Sequence, residues 1–74
     1  MKKYLVEVVV EKDMDGYMAY CPSIQGCYTQ GKNYEQTIAN IRDAIRLHLA
    51  DRKAGRQKMP STESVSVTTL ELSV

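Results

Sequence analysis

Residues 4–21 read YLVEVVVEKDMDGYMAYC, two apolar runs joined by a short polar stretch. In the first run, the even-numbered residues are Tyr, Val, Val and Val, whereas the odd-numbered residues include two glutamates. Because successive side chains of a strand point to opposite faces, this pattern gives one apolar face and one mixed face. The Asp15-Gly16 pair between the runs is typical of a tight hairpin, since glycine adopts the positive φ that such turns need. The stretch therefore predicts two antiparallel strands, at residues 4–11 and 17–21.

Four turn residues set the limits of the strands that follow. Pro22 lacks a backbone N–H, so it ends the second strand or lies on an edge of the sheet. Gly26 closes the next turn, and Gly31 ends a short third strand at residues 27–30. We therefore expect Gly16, Pro22, Gly26 and Gly31 to define the turns of the fold.

A single helix is predicted after the third strand. Asn33 is a favourable N-cap, and Gln36 three residues later completes a capping box. Arg52 and Lys53 suit the negative end of the helix dipole, and Gly55 is a natural stop. These signals predict a helix over residues 34–53. Its apolar residues recur at the spacing of one buried stripe, which comprises Tyr34, Ile38, Ile41, Ile45 and Leu49.

The last apolar segment, residues 65–72, predicts a fourth strand. Val67 and Leu70 have opposite parity, so either a bulge near residues 68–69 or a chain end that reaches a neighbouring subunit is needed. The order is then β-β-β-α-β. A right-handed crossover places the fourth strand beside the first and parallel to it. We predict an α+β domain, a four-stranded mixed sheet with one helix on one face.

Composition limits the classes of function. The chain has 74 residues, which suits one domain spanning residues 1–74, with a marginal core that a partner subunit would stabilise. Ten basic against nine acidic residues is not the balance of a nucleic-acid-binding domain. No apolar run reaches the roughly 18 residues that a membrane span needs, and no signal peptide is recognisable. We expect a cytoplasmic homo-oligomer, at least a dimer, with no membrane association.

The residues that most often carry catalysis are explained more simply by structure. Asp13 and Asp15 suit a hairpin tip, where aspartate favours turn geometry. His48 is the only histidine and has no evident orienting partner. Cys21 and Cys27 lack the spacing of a zinc or redox motif and read as small core residues, with an exposed, reactive Cys27 as the alternative. We expect no enzyme activity, no cofactor and no bound metal.

Residues 11–31, EKDMDGYMAYCPSIQGCYTQG, resemble the HicB-type antitoxin family. The shared features are the Asp-Gly-Tyr hairpin, the Cys-Pro strand end, the Gly-Cys step and the Gln-Gly pair before a helix. The resemblance implies a partial RNase H-like β-β-β-α-β fold. It also implies neutralisation of a small HicA-type toxin, an mRNA-cleaving ribonuclease whose active site the antitoxin covers, and assembly as dimers or tetramers.

Two further expectations depend on where this sequence differs from family members. Many HicB-type antitoxins carry a C-terminal helix-turn-helix or ribbon-helix-helix domain, and no such segment follows the fourth predicted strand here, so we do not expect DNA binding. The acidic metal-binding set of RNase H enzymes is also absent. The alternative function is a stand-alone homo-oligomeric interaction domain without a toxin partner.

Tyrosine side chains are the predicted partner contacts. Tyrosine is enriched among the residues that anchor protein–protein interfaces. The candidates are Tyr17, Tyr20, Tyr28 and Tyr34. Ordinary packing in the core or on the sheet is the alternative for each.

Overall fold

The computed structural model describes residues 3–60 and 66–74. Three strands precede one long helix, an α+β arrangement in the predicted order. The elements are β1 (Val9–Asp13), β2 (Gly16–Tyr20), β3 (Tyr28–Gly31) and α1 (Tyr34–Ala54).

The three strands form an antiparallel sheet in the order β1-β2-β3. In its register Val10 lies opposite Ala19, which in turn lies opposite Thr29. Gly16 has a φ of 131°, so glycine provides the positive φ at the β1–β2 turn. The Asp15 N–H donates to Oδ1 of Asp13 at 2.8 Å, which shows the first aspartate stabilising the turn.

The first strand is shorter than the sequence indicated. We predicted a strand from residue 4, but β1 begins at Val9, and residues 3–8 form no strand. The reason lies in the partner strand, because Val9 pairs with Tyr20, the last residue of β2. The chain turns away at Pro22, so the residues before Val9 have no backbone opposite them in β2.

The helix begins and ends almost where the sequence predicted. Oδ1 of Asn33 accepts a hydrogen bond from the Gln36 N–H at 2.7 Å. In an ordinary capping box the Gln36 side chain would accept from the N–H of the N-cap residue, Asn33. Here Oε1 of Gln36 accepts instead from the Lys32 N–H, one residue earlier, at 2.6 Å. At the other end, Gly55 has a φ of −83°, and Arg56 is the residue with positive φ, 55°. The left-handed position of this helix end is therefore occupied by arginine.

The core lies between α1 and the sheet. Gly31 allows the closest approach, because a Cβ added there would lie 2.8 Å from the backbone nitrogen of Thr37. Thr37 is fully buried, and its hydroxyl donates to the carbonyl oxygen of Asn33 at 2.7 Å. The buried apolar residues are Ala19, Cys21, Ile24, Cys27, Ile41 and Ile45.

The C-terminal segment, residues 66–74, forms no strand and is exposed throughout. The predicted fourth strand began at Val65, which lies outside the described residues. The sheet of the described residues thus has three antiparallel strands, and the α+β class is confirmed without the mixed fourth strand.

Candidate partner-binding surface

The sheet has an outer face that points away from α1. Ala19 has no exposed surface and packs in the core, so its cross-strand neighbours Val10 and Thr29 also point toward the helix. Residues of the other parity point outward, because directly opposite residues share a face. We call these the outer sheet face; they are Val9, Glu11, Met18, Tyr20, Tyr28 and Gln30.

An apolar row crosses the outer sheet face. Val9, Tyr20 and Tyr28 lie directly opposite one another on the three strands. Tyr28 is 65% exposed, and the neighbouring Met18 is 43% exposed. Aromatic and methionine side chains in this setting are typical of protein-binding surfaces.

The four predicted tyrosines do not lie together. The register places Tyr20 beside Tyr28 on the outer sheet face. Tyr17 has the opposite parity, is half-buried, and has the Lys12 Nζ at 5.8 Å from its ring centroid. Tyr34 is the first residue of α1 and lies outside the sheet. Met18 was not among the predicted contacts, although its spacing of two from Tyr20 places both residues on the same face.

The hairpin end of the outer sheet face is acidic. Glu11, Asp13 and Asp15 are all exposed, and a shallow depression of about 250 Å³ opens between the two aspartates and Met18. Lys12 has the opposite strand parity and stacks near the Tyr17 ring. The surface therefore combines an apolar row with a negatively charged edge, an arrangement suited to a partner with basic residues.

The two cysteines belong to the core. Both are buried and free, and the Cys21 N–H donates to the carbonyl oxygen of Cys27 at 3.0 Å. Burial, with a smaller contribution from Cys21, raises the pKa of the Cys27 thiol. A buried thiol held in its protonated form is a poor nucleophile, so the alternative of an exposed, reactive Cys27 is wrong.

Metal ligands are not assembled in the part of the chain that the structure describes. No three His, Cys, Asp or Glu side chains there lie close enough together to hold an ion. His48, half-buried on α1, makes no side-chain hydrogen bond to another described residue.

Comparison with known proteins identifies the family. The family described as "HicB_like antitoxin of bacterial toxin-antitoxin system" matches residues 4–72. The chain belongs to the HicB-like antitoxin family. Antitoxins are generally not enzymes, and membership implies a toxin partner.

Relatives of this chain occur in bacteria and archaea. A UPF0150 protein of Helicobacter pylori is 38% identical over 92% of this chain and 94% of its own length. A UPF0150 protein of Synechocystis sp. is 38% identical over 84% of this chain and 80% of its own. A UPF0150 protein of Thermoplasma acidophilum is 36% identical over 82% of this chain and 90% of its own length. No solved structure matches the chain.

The domain has a second apolar surface, on its helix side. A groove of about 360 Å³ separates residues 4–8 from α1. Its floor is apolar and its rim carries two arginines; the lining residues are Tyr4, Val6, Val8, Ile38, Ile41, Arg42, Ile45, Arg46 and Leu49. The described helix, α1, is not apolar enough over its length to cross a membrane.

Proposed function

We propose that this protein neutralises a small HicA-type, mRNA-cleaving toxin by covering it with the outer sheet face. One observation carries the proposal: in a chain of an antitoxin family, a sheet face with exposed Tyr28 and Met18 is left uncovered by every element that the structure describes. Inhibition by contact requires no catalytic group. A target that cleaves mRNA implies that the protein acts in the cytoplasm.

The apolar row supplies the anchors of the proposed interface. Tyr20 and Tyr28 are neighbours on adjacent strands, so their rings present one continuous surface. Tyrosine loses little side-chain entropy on binding and combines an apolar ring with a hydrogen-bonding hydroxyl. Met18, in the next row, adapts its shape to a partner.

The acidic edge supplies selectivity for a ribonuclease. A protein that binds RNA needs basic residues to neutralise phosphates. Glu11, Asp13 and Asp15 are exposed at the hairpin end of the outer sheet face and have no ion-pair partner among the described residues. Opposite charges across an interface accelerate association and orient the partners. The same basic surface of the toxin would then be closed to RNA.

We also propose that residues 66–74 complete the sheet as a fourth strand parallel to β1, which gives the partial RNase H-like arrangement of the family. β1 is an edge strand with one side unpaired. An unpaired edge presents free backbone N–H and C=O groups to an incoming strand. Residues 70–74, Leu-Glu-Leu-Ser-Val, have the alternating apolar and polar residues that such a strand needs, and Thr68-Thr69 is the place for the predicted bulge.

The test uses a purified HicA-type toxin and two matched alanine variants of this protein. Tyr28→Ala removes an anchor of the outer sheet face, whereas Tyr34→Ala removes a similarly exposed tyrosine from α1. Loss of one interface anchor typically costs about 2 kcal/mol, so we expect toxin affinity to fall about 30-fold for Tyr28→Ala. Affinity is measured by calorimetry, and inhibition by cleavage of a labelled mRNA. Equal affinities of the two variants would refute the assigned surface.

The second candidate function is a stand-alone homo-oligomeric interaction domain. The exposed apolar segment at residues 66–74 favours it, because such a segment is suited to pairing with another copy. Tagged protein isolated from its own cells separates the two functions. Recovery of a small basic protein whose RNA cleavage stops on adding this chain supports neutralisation. Recovery of this chain alone supports the second candidate.

A further inference from the structure

We propose that Cys21 and Cys27 form a modification site, at which hydrogen peroxide oxidises the two thiols to a disulfide within one chain. The link joins the end of β2 to the start of β3. It makes the stability of the fold respond to the peroxide concentration around the protein. The inference does not depend on the identity of a toxin, because it concerns core residues behind the proposed interface.

The register of the sheet sets the two cysteines opposite each other. Tyr20 lies opposite Tyr28 in the last ladder pair, so the next pair along both chains is Cys21 and Cys27. The backbone continues this pairing, because the Cys21 N–H donates to the carbonyl oxygen of Cys27 at 3.0 Å. Hydrogen-bonded opposite residues of an antiparallel pair have Cα atoms about 5.5 Å apart. A disulfide requires a Cα separation of about 4.4–6.8 Å, so the backbone already satisfies this requirement.

Both thiols also lie on the same face of the sheet. Cys21 shares the parity of Ala19, and Cys27 shares that of Thr29, so both side chains point toward α1. Each cysteine is only 3% exposed, and both are free thiols. Burial, followed by the charge of Cys21, raises the pKa of the Cys27 thiol, and the second effect requires the two sulfur atoms to be neighbours. The pair is therefore reduced, close together and directed to one side.

Closing the bond needs a small shift, and the turn between the cysteines allows it. Opposite Cβ atoms are about 4.5–5.5 Å apart in a sheet, whereas a disulfide holds them about 3.5–4.5 Å apart. The Cys27 N–H donates to the carbonyl oxygen of Ile24 at 3.3 Å and so returns no bond to Cys21. One backbone hydrogen bond, instead of two, fixes the separation of the pair. The two Cβ atoms can therefore approach each other without breaking a bond of the β2–β3 ladder.

The surroundings of the two thiols give them different roles. Sγ of Cys21 lies 3.4 Å from Oγ of Ser23, a hydroxyl that can donate to a thiolate and stabilise it. Among the described residues no such donor reaches the Cys27 sulfur, whose raised pKa keeps it protonated. Cys21 is therefore the residue that attacks peroxide, and Cys27 is the one that resolves the intermediate. Its weak nucleophilicity is offset because this second attack occurs within one molecule, between adjacent groups.

One molecule of peroxide balances the reaction. The Cys21 thiolate attacks one peroxide oxygen, the O–O bond breaks, and the leaving hydroxide takes up the thiol proton as water. Cys21 is then a sulfenic acid. The Cys27 sulfur attacks Sγ of Cys21, the S–S bond forms, the S–O bond breaks, and a second water leaves with the Cys27 proton. The two thiols have lost two electrons in total, and peroxide has been reduced to two waters.

The test treats the reduced native chain with hydrogen peroxide, blocks free thiols with iodoacetamide and measures the intact mass. We expect a single-chain product that lacks two hydrogens and takes up no alkyl group, and dithiothreitol should restore both alkylation sites. Because the link closes a loop of the unfolded chain, the unfolding equilibrium constant in urea should fall about tenfold or more on oxidation. A treated chain that keeps both alkylation sites, or that forms only disulfides between chains, overturns the proposal.

Two serine variants test the assigned order of attack. Cys27→Ser should stop at a sulfenic acid on Cys21, which dimedone traps, whereas Cys21→Ser should take up little dimedone under the same conditions. Circular dichroism shows whether each variant is folded. Dimedone added with peroxide to the native chain gives the same information without a substitution, because the labelled cysteine is identified in its peptide. A label found mainly on Cys27 overturns the assigned order.

Discussion

Replacing Gly31 by alanine should be the most damaging glycine-to-alanine change in this domain. The added Cβ would lie 2.8 Å from the backbone nitrogen and 2.9 Å from Cα of Thr37, and closer still to its hydroxyl oxygen. Favourable contacts between non-bonded carbon atoms occur at about 3.5–4.0 Å, so the overlap approaches about 1 Å. Because Thr37 belongs to α1, relief requires the first turn of the helix to move away from β3.

The expected cost is about 3 kcal/mol, the upper part of the range for overpacking a close-packed site. A chain of 74 residues has a total stability of about 4–11 kcal/mol, so the loss is a large share of it. Gly26→Ala is the matched control, since its φ is 78° and no atom lies within 4 Å of the added Cβ. That change should cost only the left-handed conformation, about 1–2 kcal/mol.

Urea unfolding followed by circular dichroism measures both variants. The reasoning fails if Gly31→Ala is no more destabilising than Gly26→Ala. A second comparison tests the part played by the helix backbone. Thr37→Ala in the Gly31→Ala protein removes the hydroxyl contact but leaves the two backbone contacts, so only part of the stability should return. Complete recovery would show that the side chain, and not the position of α1, is the obstacle.

Three further predictions concern the helix ends and the buried thiol. Arg56→Gly should raise stability by about 1 kcal/mol, because glycine adopts the φ of 55° without strain, whereas Gly55→Ala at φ −83° should change little. Asn33→Ala should cost about 1 kcal/mol through the lost bond to the Gln36 N–H, and Asn33→Asp, which keeps the acceptor, should not. The raised pKa of Cys27 means that the unfolded chain loses its thiol proton first, so stability falls as pH rises above the ordinary thiol value of about 8.5. Urea unfolding at several pH values should show a smaller loss of stability with rising pH for Cys27→Ala than for the native chain. The same pH dependence in both proteins would contradict the raised pKa of Cys27 as its cause.

Local signals in the sequence predicted the elements whose limits depend on local chemistry. The predicted helix, residues 34–53, matches Tyr34–Ala54 because the Asn33 cap and the basic last turn act within a few residues. The Asp15-Gly16 pair likewise predicted the hairpin between β1 and β2. These features need no knowledge of what lies elsewhere in the chain.

Features that depend on a distant neighbour were harder to predict. The start of β1 depends on where β2 turns away, so the apolar alternation from residue 4 extended the predicted strand too far. Gly55 was predicted as the helix stop, but the residue with positive φ is Arg56, where the hydrogen bonds from the Arg56 N–H to Lys53 and from the Gln57 N–H to Arg52 close the helix end. Tyr17 and Tyr20 were predicted to contact one partner together. Their positions have opposite parity, and the observed register places them on opposite faces of the sheet.

The proposed interface and the proposed disulfide lie on different faces of the sheet, and this makes them separable by experiment. The outer sheet face points away from α1, whereas Cys21 and Cys27 are buried on the side that faces α1. The oxidised chain should therefore retain the toxin affinity of the reduced chain within about threefold, a difference under 1 kcal/mol. Conversely, Tyr28→Ala should lose toxin affinity and still form the disulfide. If oxidation abolishes toxin binding, or if Tyr28→Ala forms no disulfide, while circular dichroism shows an intact fold, the two sites are coupled and their assignment to opposite faces is wrong.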